Sequence, residues 1–476
     1  MKRSKQRKPG MVLLYCAAAL LVLAAGLFCL ISGIAGAGER KAEPEETPPP
    51  EASAPAEESP AEDTPGVREV TEEERRRIEE GEKNPADGAA KEETNEKEKV
   101  SYLGTFTGEE RLQPGISELI TDFLDTFYGS QRSFADFFKT MDRIRVPDMT
   151  VFFEDPEGLE AQIWQNALLY LCSAKTVNGY DLSYADCSYS LKVGQITLKG
   201  DVFEVTLEES CDVSFAYLDG VRSIQNGLTC EASFRKTEDG WKFVTYSRGE
   251  DFYRAIRDRV EEDTDASDLR TLAVEALERY CTNYVRMMKD RDSFNSGSVG
   301  YLDSENPYDR QAAGAYAAMY CLSRNSAYSA YDELGGNGQH FVSQVLSAGG
   351  IPMDVYGNAK WKYYGDVVDE TEAKTGRTPS WIGAYYFHQY ASTNYGPGLA
   401  CTVNANFFAA EAGDVLQTGR ESDVFNASYA VLDTYRQDES VIEILLCANT
   451  PDTENWPLSA IFAPYVSMIK VQGWKY

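Results

Sequence analysis

Chemistry in this chain is best sought where a glycine-rich turn runs into a short amphipathic helix, Tyr331-Asp-Glu-Leu-Gly-Gly-Asn-Gly-Gln-His-Phe-Val-Ser-Gln-Val-Leu-Ser-Ala-Gly-Gly350. Phe341, Val342, Val345 and Leu346 fall on one face at helical spacing, and Gly349-Gly350 supplies a left-handed stop. Such a turn carries the backbone to the first N–H groups of the helix, where the dipole favours negative charge. A thiol seated there would have a lowered pKa and act as a nucleophile. The stretch contains no cysteine. Its other reactive groups are His340 and Ser343, and the only further histidine of the chain is His388. A zinc site needs three or four convergent ligands. Two scattered histidines without a Cys-x-x-Cys do not provide them, so no metal or cofactor is expected.

The run Gly335-Gly336-Asn337-Gly338-Gln339-His340-Phe341-Val342-Ser343-Gln344 resembles, without gaps, the nucleophile segment of the bacterial putative amidase domain family, a papain-like group of cysteine hydrolases. That segment runs Gly-Gly-Asp-Cys-Thr-Asn-Phe-Val-Ser-Gln. The likeness extends from about residue 298 to 476. It includes the helix opening Tyr308-Asp309-Arg310 and its alanines, the aromatics Trp361, Tyr363-Tyr364 and Ser380-Trp381, and Gly413-Asp414-Val415. The resemblance puts Gly338 at the nucleophile and Asn337 at the preceding aspartate. Ala427 falls at the first histidine, and Asn449 at a second histidine in a later hairpin strand, in a register open by about one residue. It implies a papain-like α+β fold whose amidase chemistry has degenerated. Asn337, Gly338, Gln339 and Trp381 are then candidate ligand contacts. The alternative is an active hydrolase using Ser343 or Cys447, although Ser343 reads more simply as a packing or capping residue and Cys447 as a buried thiol.

The elements that must position these residues follow from the remaining 476-residue chain, whose formal charge is −30. Lys2, Arg3, Lys5, Arg7 and Lys8 make residues 1–10 a basic tail, and 11–38 carry no charge. A span of about 20 apolar residues crosses a bilayer with its basic flank inside. Residues 11–38 are therefore expected to be a transmembrane anchor, or a signal cleaved after Ala35-Gly36-Ala37. Either reading exports the bulk of the chain, and the uncleaved anchor makes the cell membrane its first partner.

Residues 39–100 hold 21 acidic and 10 basic residues and no aromatic one, too little apolar surface to offset ordering, so a disordered linker is expected. A flexible linker of this length spans roughly 45 Å. Without tail and linker the chain still carries −24, which disfavours nucleic acid as a partner.

Residues 101–262 form the first globular unit. Helical periodicity marks Ile116–Phe127 and Leu159–Leu171. Alternation then marks Tyr180–Leu198, Val202–Tyr217, Val221–Phe234 and Trp241–Tyr246, with a hairpin signal at Asp239-Gly240. Helices followed by meandering strands resemble an NTF2-like cone. Residues 263–476 then comprise a helical lead-in, capped at Ser267, and the amidase-like part. Among the cysteines, Cys211 and Cys230 on consecutive strands are the best candidates for a disulfide. The aromatic run near Trp381 is either core packing or the wall of a groove for glycan or peptide.

The reading as a whole is of a membrane-tethered, extracytoplasmic α+β protein. Its degenerate amidase-like domain would bind or scaffold peptidoglycan or another peptide. A purely structural protein acting through the cone-like unit, with a partner the sequence does not name, is the third possibility.

Overall fold

The structure is a computed structural model that describes residues 100–132, 146–261, 263–356, 360–369 and 371–476. The basic tail, the anchor expected over 11–38 and the linker up to residue 99 lie outside the described residues. Among the described residues no helix is long and apolar enough to cross a membrane.

The N-terminal part follows its two hydrophobic periods. Strand β1 (Leu103–Thr107) precedes α1 (Ile116–Arg132) and α2 (Leu159–Val177). Four long strands come next: β2 (Tyr184–Lys199), β3 (Val202–Phe215), β4 (Ser223–Thr237) and β5 (Gly240–Arg248). Along β3, Phe203, Val205, Leu207, Cys211 and Val213 are buried, because alternate side chains of a strand face one side. That face packs on α1 and α2, where the Phe123 ring lies edge-on to Trp164 at 4.8 Å and to Tyr246 at 4.9 Å. The Asp239-Gly240 turn is as expected, with Thr237 paired to Gly240 at φ 111°.

The core also contains charge. Arg248 donates to Glu209 at 2.9 Å, each side chain 1% exposed, and the Tyr128 hydroxyl donates to the same carboxylate at 2.5 Å. Removing one partner of such a buried pair costs about 3–5 kcal/mol, since the other charge is stranded.

Helices α3 (Asp251–Arg257) and α4 (Asp268–Asn295) follow. Ser267 precedes α4, but its side chain makes no capping bond, contrary to expectation. Leu269, Ala273, Leu277 and Tyr280 of α4 belong to the core of the first part, and Met287 packs with Phe407, Ile444 and Leu446 of the second. The sequence boundary at 262/263 thus precedes a helix with footing in both cores.

In the C-terminal part, α5 (Arg310–Tyr320) and α6 (Gly338–Ala348) lead to a small hairpin, β6 (Tyr363–Tyr364) with β7 (Gly376–Arg377). Then come α7 (Pro379–Ile382) and α8 (Ala384–Thr393), and the strands β8 (Gly398–Val403), β9 (Val415–Glu421), β10 (Val424–Gln437), β11 (Ser440–Ala448), β12 (Asp452–Pro457) and β13 (Tyr465–Lys475).

All strands except β6 and β7 join one sheet of order β1-β2-β3-β4-β12-β11-β10-β9-β13-β8, with β5 also on β4. The seam is a short antiparallel pairing of Ile224–Asn226 in β4 with Asp452–Glu454 in β12. The described chain is therefore α+β with one large, mainly antiparallel sheet.

The expected disulfide does not form. All eight described cysteines are free. Cys230 sits opposite Leu207 and Cys211 opposite Gln225, an offset of roughly 13 Å along the strands, and Cα atoms beyond about 7 Å cannot be bridged.

Candidate functional site

Gly335 and Gly336 adopt φ 107° and 106°, a left-handed turn that side chains resist, and they deliver the chain to the first residue of α6, Gly338. Gly338 needs no such freedom, since its φ is not left-handed. A Cβ on it would lie 3.2 Å from the Asn449 carbonyl oxygen and 3.4 Å from that of Ser428. The head of α6 therefore points into the gap between the ends of β10 and β11. Ala430 pairs with Cys447, and continuing that register sets Ser428 opposite Asn449.

The asparagines and the threonine at this head are tied to the protein itself. Asn337, buried, makes no cap with its side chain. Instead its Nδ2 donates to Asn449 Oδ1 at 3.0 Å, and its Oδ1 accepts from the Tyr331 amide at 3.3 Å. Asn449 donates in turn to the carbonyls of Tyr320 and Cys321 at 3.1 and 2.9 Å. The Asn337 amide donates to Thr450 Oγ1 at 3.1 Å, and that hydroxyl donates to Asp332. Arg324 clamps Asp332 and Asp452 from outside and holds the Asp332 carboxyl below its ordinary pKa against the effect of its own partial burial.

The positions read from the sequence come together in part. Gly338 and Asn449 adjoin. Ala427 does not face them: neighbouring residues of a strand point to opposite faces, and the buried, helix-facing residue is Ser428, with Ala427 half-exposed. Gln339 is turned inward, where its Oε1 accepts from Ser428 Oγ at 2.6 Å and its Nε2 donates to Ser343 Oγ at 3.1 Å. Trp381 is fully buried and donates from Nε1 to His340 Nδ1 at 2.8 Å, so it is core and not the wall of an open groove.

The remaining reactive groups are engaged elsewhere. His340 is fully buried among the rings of Tyr331, Tyr363 and Tyr328 at 4.8, 5.2 and 5.6 Å, and burial lowers its pKa to about 4. Ser343 Oγ donates to the Trp381 carbonyl at 2.8 Å and accepts from Trp361 Nε1 at 3.1 Å, which leaves no hydroxyl lone pair facing solvent. Burial raises the Cys447 thiol well above its usual value, and its Sγ–H lies 3.6 Å from the Ala430 carbonyl. It is not a thiolate. No cluster of three or more metal-ligating side chains occurs among the described residues.

Two segments singled out in the sequence have a structural bond in common. Arg310 reaches the fully buried Asp414 at 3.0 Å, Lys470 reaches it at 3.1 Å, and the Val471 amide donates to it at 2.8 Å. Tyr308 donates to the Gly413 carbonyl at 3.1 Å. The Tyr308-Asp309-Arg310 helix start is thereby locked to Gly413-Asp414-Val415, which sets β9 and β10 against α6.

Beyond the head of α6, sequence reasoning missed a buried polar thread. Gln417 Nε2 donates to Ser428 Oγ at 3.0 Å and to the Ala384 carbonyl at 2.9 Å, and Gln417 Oε1 meets His388 Nδ1 at 2.8 Å. The signal was available in the Gly413-Asp414-Val415-Leu416-Gln417 run, but which side chains meet depends on pairings between distant strands. Neither a curated protein nor a solved structure matches the chain. Residues 307–471 match the family model described as a putative amidase domain.

Proposed function

We propose that the amidase-family domain of this chain is catalytically inactive and serves as a binding or scaffolding module at the cell envelope, tethered by the apolar segment 11–38 and spaced from the membrane by the linker. The observation that carries this reading is the head of α6. A glycine stands where a nucleophile would be seated, the facing strand residue is Ser428, and Asn337 and Asn449 are spent on internal bonds. Triads that lose one member lose on the order of 10⁴–10⁶ in rate, and here thiol and imidazole are both missing. The saturated hydroxyl of Ser343 and the protonated, buried thiol of Cys447 argue against a substitute nucleophile.

In this reading the first globular part, whose helices on a curved meander we take as NTF2-like, contributes structure and a surface for partners. The ligand class is a cell-wall peptide or a related peptide. The test uses the full chain in detergent. It is expected to release no amine from muropeptides or small acyl-amides above a protein-free blank, while retaining muropeptides in calorimetry. Turnover that disappears on Ser343→Ala or Cys447→Ala would overturn the inactive reading, and absence of any muropeptide binding would overturn the binding one. Cell fractionation with Met11–Gly38 intact or deleted tests the tether.

A further inference from the structure

A second hollow lies away from the head of α6, between the C-terminal half of α8 and the edge strand β8, with a volume of about 600 Å³. That is within the range of small-molecule sites, about 300–1,000 Å³. His388 lines it and is 6% exposed. Its ring is fixed by Phe425, at 4.2 Å between centroids, and by Gln417. The Gln417 amide nitrogen is committed to the Ala384 carbonyl and Ser428 Oγ, so its oxygen faces the imidazole and must accept. Nδ1 then carries the proton, and Nε2 keeps its lone pair. Nε2 has no hydrogen-bond partner among the described residues, yet it is not one of their sealed, unpaired atoms. With His388 in the lining and Nδ1 taken by Gln417, Nε2 is the ring nitrogen left to meet a ligand there.

From this geometry we infer that the hollow binds an uncharged, hydroxyl-rich ligand, an oligosaccharide segment, with one ligand hydroxyl donating to His388 Nε2. Charge supports an uncharged ligand: the lining contains one cation, Lys475, one carboxylate, Asp423, and no other charged group. Burial keeps the imidazole neutral by lowering its pKa. At the rim Tyr395 is 86% exposed and Leu302 87% exposed, a flat ring and an apolar edge suited to the C–H face of a sugar. A peptide added as a further strand is disfavoured, because the outward amide and carbonyl of Leu399 on β8 are already bonded to Tyr390 and Asn394, at 3.3 and 3.1 Å. This inference does not depend on the head of α6 being inactive.

The test is calorimetric titration of the full chain with cellotetraose, chitotetraose and maltotetraose, and, as contrasts, inorganic phosphate and a neutral tetrapeptide. At least one tetrasaccharide is expected to bind with a Kd below about 1 mM and to move the His388 Nε2 resonance in ¹⁵N-histidine NMR. Tyr395→Ala and His388→Phe should each weaken it about tenfold or more, while Val151→Ala, at an exposed position of the first part, leaves it unchanged. Because Tyr395 is exposed, its variant tests the site even if the His388 variant misfolds. The inference is overturned if no tetrasaccharide binds, if only phosphate or the peptide binds, or if Tyr395→Ala binds as well as the wild type.

Discussion

The head of α6 and the hollow beside β8 are two ends of one polar thread, Gln339–Ser428–Gln417–His388, and they are finished in opposite ways. At the head the side chains of Asn337, Asn449, Gln339 and Ser343 are bonded to the protein and the unpaired His340 Nε2 is sealed from solvent, so a polar ligand must displace bonds already made. At the other end one imidazole lone pair is left without a partner. Because that nitrogen is not sealed off, a ligand can bond to it without first breaking a bond within the protein, which makes the second end the easier one to occupy. Family resemblance draws attention to the head, whereas the accounting of hydrogen bonds draws it to the hollow.

The contrast breaks most decisively if hydrolysis can be installed at the head. Gly338→Cys with Ser428→His places a thiol and an imidazole on facing positions. It is expected to raise amide hydrolysis above wild type by up to ~10⁴-fold, whereas Gly338→Cys alone gives none. Equal rates for the double variant and wild type would overturn the proposal that this head is the seat of an amidase site.

Next comes acid. His340 has a folded pKa of about 4 against an ordinary 6.5, so between those values the unfolded chain binds the extra proton. Its contribution is complete above about pH 6.5 and is lost progressively as pH falls to 4, a total on the order of 3 kcal/mol. Denaturant midpoints measured against pH should show this slope, and His340→Phe should flatten it.

Asn449→Ala is expected to cost about 2 kcal/mol, since it strands the Asn337 amide and two carbonyls. A loss below about 0.5 kcal/mol would mean the clamp at the head is not structural. The smallest effect belongs to the open end, where Tyr395→Ala should shift Tm by no more than ~1 °C.

How much of this was legible beforehand depended on range. The strands of the first part and the helix that follows the glycine-rich turn at 335–338 follow from local spacing and lie nearly where the spacing puts them. The family resemblance puts Ala427 at the first histidine. The residue that meets α6 is Ser428, because facing is set by how β10 pairs with β9 and β11, which are separate in sequence. Trp381 has the composition of a binding aromatic, and only its packing against His340 and Trp361 reveals it as core. Gln417 and His388 could not be linked at all without the fold.

The pairing of Ile224–Asn226 with Asp452–Glu454 bears on how the chain can be divided. Cutting between α3 and α4 would strip one flank of β4 and of β12, leaving two raw hydrogen-bonding rims prone to self-association. Isolated halves should therefore precipitate. Halves made together in one cell should recombine into a soluble pair, as pieces of a single fabric rather than beads on a string.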